Sequence, residues 1–139
     1  MTRINLIPTH ELTDQHLIAE YREITMVPAA LKRTIHSKSG LMLNKIPASF
    51  TLNKGHVLFF YDKGKYLFKR YQLLIREMEN RGFKPNKNRK FPCDIFIENK
   101  LFNDWEPTLK DLKIIRNRIK SKIKQKPNWY RNNGIKINN

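Results

Sequence analysis

Two groups capable of covalent chemistry stand close together at the start of this chain. Removal of Met1, expected before a residue as small as threonine, leaves the primary amine of Thr2 as the terminus. Such an amine has an ordinary pKa of about 7.7–8.0, so it is partly neutral at physiological pH, unlike a lysine. A neutral amine attacks an aldehyde carbon or a sugar C1′ and forms a Schiff base. A carboxylate beside it would orient it, move protons and stabilise a cationic sugar intermediate. His16, Glu20 and Glu23 follow at four- and three-residue steps, which a helix places along one face. Taken alone, the two glutamates would read as an ordinary solvated helix face with ion pairs. The amine-bearing arm ahead of them is what points to chemistry.

The composition says what such a site would act on. The chain has 139 residues, enough for one domain, 1–139, with a small core. Its 28 Lys and Arg against 12 Asp and Glu give a net charge of +16, the footprint of a protein that meets a polyanion, with nucleic acid the leading candidate. The single cysteine, Cys93, excludes an internal disulfide and any multi-cysteine zinc site, and fits a reducing compartment. No apolar run approaches membrane-spanning length, and no signal-peptide pattern follows Met1. The expectation is a soluble cytoplasmic protein with no membrane contact, no cofactor and no clustered metal-ligand pattern.

The expected fold is all-α: a compact single domain of three main helices with long connecting loops and an extended N-terminal arm, residues 1–12. Thr13 is a good N-cap, and the first helix should run from Asp14 toward about Ser37, kinked or split by Pro28 near Met26. Residues 38–62 read as loop, in which Val57–Tyr61 is a buried turn or extended segment. The second helix should start near Asp62 or Lys63 and end at Arg81, with Gly82 just past its end. Leu67, Tyr71, Leu74, Ile75 and Met78 form its apolar stripe. Residues 84–106 read as a second long loop. Thr108 and Asp111 make a capping-box pattern for the third helix, whose stripe is Leu112, Ile115, Ile119 and Ile123 and which stops before Pro127.

Residues 108–139 carry ten basic side chains and one acid, Asp111. Of these, Lys113, Arg116, Lys120 and Lys124 fall on one helical stripe and are expected to add salt-dependent, sequence-independent affinity for phosphates. Trp129 and Tyr130 follow the basic helix, placed either to stack on bases or to cap the core. His16 is a candidate near the site, and His56 is expected to make a structural hydrogen bond.

The chain resembles the pyrimidine-dimer DNA glycosylase/AP lyase family of T-even phages and their algal-virus and bacterial relatives. The resemblance rests on Met1-Thr2-Arg3-Ile4-Asn5-Leu6, Asp14-Gln15-His16-Leu17, Ala19-Glu20-Tyr21-Arg22-Glu23, Gly55-His56-Val57, Phe59-Phe60-Tyr61-Asp62-Lys63, Arg81-Gly82-Phe83 and Pro127 with Trp129-Tyr130. It implies that the Thr2 amine attacks C1′ of the damaged nucleotide. It implies that Glu23 is the essential acid/base and electrostatic partner, and that the imine then supports β-elimination. Arg3 and Arg22 would contact double-stranded damaged DNA, with Gln15 and His16 near the scissile nucleotide. The family needs no metal, and a monomer in a bacterial cell or phage-infected host is expected. Two departures touch recognition. Met26 stands where the phage member has an arginine that binds the DNA backbone, with Thr25 in place of the neighbouring proline, and the tail carries Asn132-Asn133 in place of tyrosines. The alternatives are the same chemistry on another base lesion, and a non-catalytic basic protein that binds DNA or RNA.

Overall fold

The structure, a computed structural model, describes residues 3–137. Thr2, the expected nucleophile, lies outside the described residues. Within them the α-helices are α1 (Asp14–Glu23), α2 (Met26–Ile35), α3 (His56–Phe59), α4 (Gly64–Asn80), α5 (Asp94–Glu98) and α6 (Leu109–Gln125). A short antiparallel hairpin of β1 (Arg131–Asn132) and β2 (Ile135–Lys136) follows α6.

The helix ends obey local rules that the sequence displays. Thr13 caps α1, its Oγ1 accepting the His16 N–H at 3.0 Å. Pro28 is the third residue of α2, where a missing N–H costs nothing, so the expected long helix is two helices broken at Ile24–Thr25. Past α4, Gly82 adopts φ +84°, and the N–H groups of Gly82 and Phe83 bond to the carbonyls of Glu79 (3.0 Å) and Met78 (2.9 Å), a Schellman ending. The capping box of α6 is complete, with Thr108 N–H donating to Asp111 at 3.0 Å and Asp111 N–H to Thr108 Oγ1 at 3.1 Å.

Two expectations need correction, for the loops and for the tail. The long loops contain helical turns, α3 and α5, together with 3₁₀ turns at Leu43–Lys45 and, inside the arm, at Thr9–Glu11. The Val57–Tyr61 run is the first of its two expected forms, a buried turn, here helical, with Phe59, Phe60 and Tyr61 in the core. The tail is a hairpin, so the fold is mostly helical rather than purely so: Asn133 (φ +51°) and Gly134 (φ +81°) form a two-residue turn of the type that Asn-Gly favours.

The arm belongs to the core. Ile4, Leu6, Ile7 and Leu12 are buried with Leu17, Tyr21 and Ile24 of α1 and with Leu67, Tyr71, Leu74 and Met78 of α4. The expected stripe of α4 is thus the face it buries, with Ile75 at its margin. Ile115 and Ile119 fix α6 on the same core. Leu6 holds φ +54° while the Ile7 N–H bonds back to the Asn5 carbonyl, a tight turn in a conformation that leucine rarely adopts. The surroundings must over-determine such a turn for it to persist.

Candidate active site

The surroundings of the arm are polar side chains that reach it from three elements. The Arg3 N–H donates to Glu23 Oε1 at 3.2 Å, near the end of α1. The Ile4 N–H donates to Nε2 of His56, at the start of α3, at 2.9 Å in a fully buried bond. The Nδ1 of His56 sits 2.8 Å from the Thr51 carbonyl, which accepts only, so Nδ1 carries the proton and Nε2 the lone pair. Arg70 of α4 donates to the Ile7 carbonyl at 2.6 Å. The same guanidinium grips Glu20 bidentately, at 2.7 and 3.0 Å, with both side chains almost fully buried. Glu20 therefore turns into the core and Glu23 toward the arm, although both lie on one face of α1.

His56 packs edge-on against Phe50 and Phe60, with ring centroids 5.4 Å away in each case. Burial in this aromatic shell pushes its pKa down to about 4; the Thr51 bond opposes that, and the charges of Arg3 and Arg118 reinforce it. His16 is pushed down to about 4 as well, by burial and then by Arg118 and Lys122. Both start from an ordinary value of 6.5. Between those values the unfolded chain binds protons that the folded chain does not. Stability is therefore complete above about pH 6.5 and falls as pH drops toward 4, by about 3 kcal/mol per histidine. The urea midpoint should fall steadily across this range. A flat midpoint would mean that both imidazoles are charged in the folded protein.

The first turn of α1 holds the tail. Gln15 bonds to backbone at both ends of its amide, donating to the Trp129 carbonyl at 2.7 Å and accepting the Arg131 N–H at 3.0 Å. Asp14 accepts the two turn N–H groups of the hairpin, Asn133 at 3.0 Å and Gly134 at 2.8 Å, and the Arg81 guanidinium at 2.9 Å. The Tyr130 ring lies flat on His16, with centroids 4.9 Å apart and planes within 6°. Trp129 stays exposed beside Lys126. Gln15 thus serves the tail, and Tyr130 reaches the neighbourhood of the arm by stacking on His16.

The cations of α6 divide by face. Arg118 and Lys122 line a small hollow with His16, Gln125, Lys126 and Tyr130. Burial and the charge of Arg3 hold the Arg118 pKa below the usual arginine value, and Tyr130 and Glu23 oppose this. This is a crowded group of positive charge that an anion would relieve. The expected stripe lies elsewhere: Lys120 is about 160° around the helix from Arg118. Lys113, Lys120 and Lys124 are solvent-exposed, and Arg116 forms a bidentate pair with Glu11, at 2.9 and 3.0 Å.

Arg3 also lines a separate cleft of about 750 Å³, with Met26, Arg33, Lys45, Lys54 and His56 in its walls. Met26 is 52 % exposed there. Arg33 shares the cleft with Met26, which puts a guanidinium near the position that methionine leaves uncharged. Arg22 is exposed one residue before Glu23. Arg89 binds the carbonyls of Tyr21 (2.7 Å) and Arg22 (3.1 Å) and the hydroxyl of Thr25 (2.7 Å), closing the end of α1 beside the site.

A cationic helical domain with a carboxylate tied to its terminal arm, between a cleft of nucleotide size and a hollow lined by arginine and lysine, is of the nucleic-acid-binding class. The chain belongs to the pyrimidine dimer DNA glycosylase family, whose model matches residues 1–91. The match takes in the arm, α1, the cleft and α4, and ends before α6 and the hairpin. The family is one of DNA repair glycosylases, so the substrate is DNA. Among the described residues no helix is long and apolar enough to cross a membrane.

Proposed function

We propose that the protein is a bifunctional DNA glycosylase and abasic-site lyase that acts on ultraviolet-induced cyclobutane pyrimidine dimers in double-stranded DNA, as a monomer and without a cofactor. The observation that carries this reading is the Arg3 N–H bonded to Glu23 Oε1 at 3.2 Å. Arg3 is one peptide unit, about 3.8 Å between α-carbons, from the residue whose amine is the proposed nucleophile. That amine bonds to C1′ as the bond from C1′ to the base breaks. Opening of the C1′–O4′ bond gives the protonated imine. Loss of a C2′ proton then expels the 3′ phosphate by breaking the C3′–O bond. Glu23 suits both the cationic intermediate and the proton transfers.

Arg3, Arg22, Arg118 and Lys122 are the proposed phosphate contacts, with Trp129 and Tyr130 beside the lesion. The cleft next to Arg3 has the size and charge to receive an extrahelical nucleotide, as removal of a base from a duplex requires. Replacing Arg118 and Lys122 together by alanine should lower the slope of log affinity against log salt by about 2. An equal change from Lys113→Ala with Lys120→Ala would move the DNA to the outer stripe.

Borohydride trapping on two labelled duplexes, one with a thymine dimer and one with an abasic site, tests the function. Borohydride reduces the imine to a stable amine, so a covalent band reports the intermediate. Trapping on both, lost when the Thr2 amine is blocked, is the expected result. Trapping on the abasic duplex alone would reassign the lesion, which Met26 makes the point to watch. No trapping, with binding intact, would leave a DNA-binding protein without this chemistry.

A further inference from the structure

We propose that His56 is a positioning residue for the catalytic arm, setting the register in which the terminal amine meets Glu23. The inference rests on the proposed amine chemistry. Three observations carry it. The Ile4 N–H is fully buried and has the His56 ring nitrogen as its acceptor, across 52 residues of chain. The other nitrogen is committed to the Thr51 carbonyl, which fixes both the tautomer and the plane of the ring. The ring is wedged between Phe50 and Phe60, so it has little freedom to follow the arm if the arm moves.

The arm needs such a fixed point. Beyond Ile4 there is one described residue, Arg3, whose N–H meets Glu23 at 3.2 Å. On the other side, the turn at Leu6 holds a positive φ that leucine resists. Without the acceptor at His56, the arm could relax that turn by sliding, and a displacement of about 1 Å is enough to cost on the order of 100-fold in a positioned reaction. His56 stands behind the surface of the cleft beside Arg3: it is 2 % exposed and both ring nitrogens are engaged within the protein, so it acts through the arm and not on a bound nucleotide.

The test compares His56→Phe, which keeps an aromatic ring but cannot accept, with His56→Gln, which restores a neutral acceptor. Single-turnover cleavage of an abasic duplex at saturating enzyme should fall by about 10- to 100-fold in His56→Phe, with the duplex Kd within about threefold of wild type. His56→Gln should recover most of the rate. Hydrogen exchange at the Ile4 amide should be slow in wild type and His56→Gln, and fast in His56→Phe. In wild type, a through-bond ¹⁵N–¹⁵N coupling between the Ile4 amide and His56 Nε2 should be measurable, which needs no variant to fold. Absence of that coupling overturns the proposal. So does His56→Phe cleaving at the wild-type rate with its Ile4 amide deprotected. A wild-type protein that forms no borohydride adduct would instead remove the amine chemistry on which the inference rests.

Discussion

Glu23→Gln is expected to lower cleavage of an abasic duplex by at least about 100-fold, while duplex affinity stays within about threefold of wild type. The amide is nearly the same shape as the carboxylate, and its oxygen still accepts the Arg3 N–H that Glu23 holds at 3.2 Å. The anchor on the arm is therefore kept. What is removed is the negative charge and the capacity to take and return a proton that the proposed chemistry assigns to Glu23. Single-turnover cleavage and gel-shift titration on the same duplex separate the two effects. A variant that nicks as fast as wild type would take Glu23 out of the chemistry. A variant that no longer binds would make it part of the DNA contact.

Glu20→Ala is expected to do something different: to destabilise the fold by about 3–5 kcal/mol, because it strands a buried charge. Glu20 and Arg70 are joined by two hydrogen bonds, at 2.7 and 3.0 Å, with the carboxylate side chain fully buried. Taking away the anion leaves a guanidinium in the core with one remaining acceptor, the Ile7 carbonyl. Thermal unfolding should shift down by about 10–20 °C. Replacing both partners by apolar residues, Glu20→Leu with Arg70→Met, should recover much of the loss, since an apolar pair of similar volume leaves no unpaired charge. Wild-type stability with lost cleavage in Glu20→Ala would instead assign the chemistry to this carboxylate.

The contrast between these neighbours shows what the sequence discloses. Helix spacing put Glu20 and Glu23 on one face of α1, and they are there. Their division into a core ion pair and an arm partner depends on Arg70, fifty residues on, and no local pattern marks that pairing. The resemblance to the glycosylase family, not periodicity, selected Glu23. Helix ends were legible because their chemistry is local: Thr13, Gly82 and the Thr108–Asp111 box do what their types and spacing suggest. The hairpin was legible too, in Asn133-Gly134, a dipeptide that favours such a turn and that a purely helical reading passed over.

The basic face of α6 was harder. Cations surround that helix on every side not buried, so the choice between Arg118 with Lys122 and Lys113 with Lys120 turns on which side of the Ile115–Ile119 stripe faces α1. Packing separates the two sets in space, and composition does not. Gln15 shows the same limit in reverse. The resemblance placed it near the scissile nucleotide, and only the fold reveals that its amide also bonds at both ends to the backbone around Tyr130.

The clasp of Asp14 and Gln15 on residues 129–134 has a bearing on how the protein is made. It joins parts of the chain more than 110 residues apart, and contacts of such separation form late because a long loop must close first. On the ribosome, the arm and α1 emerge well before the segment that lays Tyr130 over His16. A nascent chain thus carries the Arg3–Glu23 contact before the Tyr130 ring can cover His16. The stack of Tyr130 on His16 waits for residues 129–134 to leave the ribosome, while the arm and α1 do not.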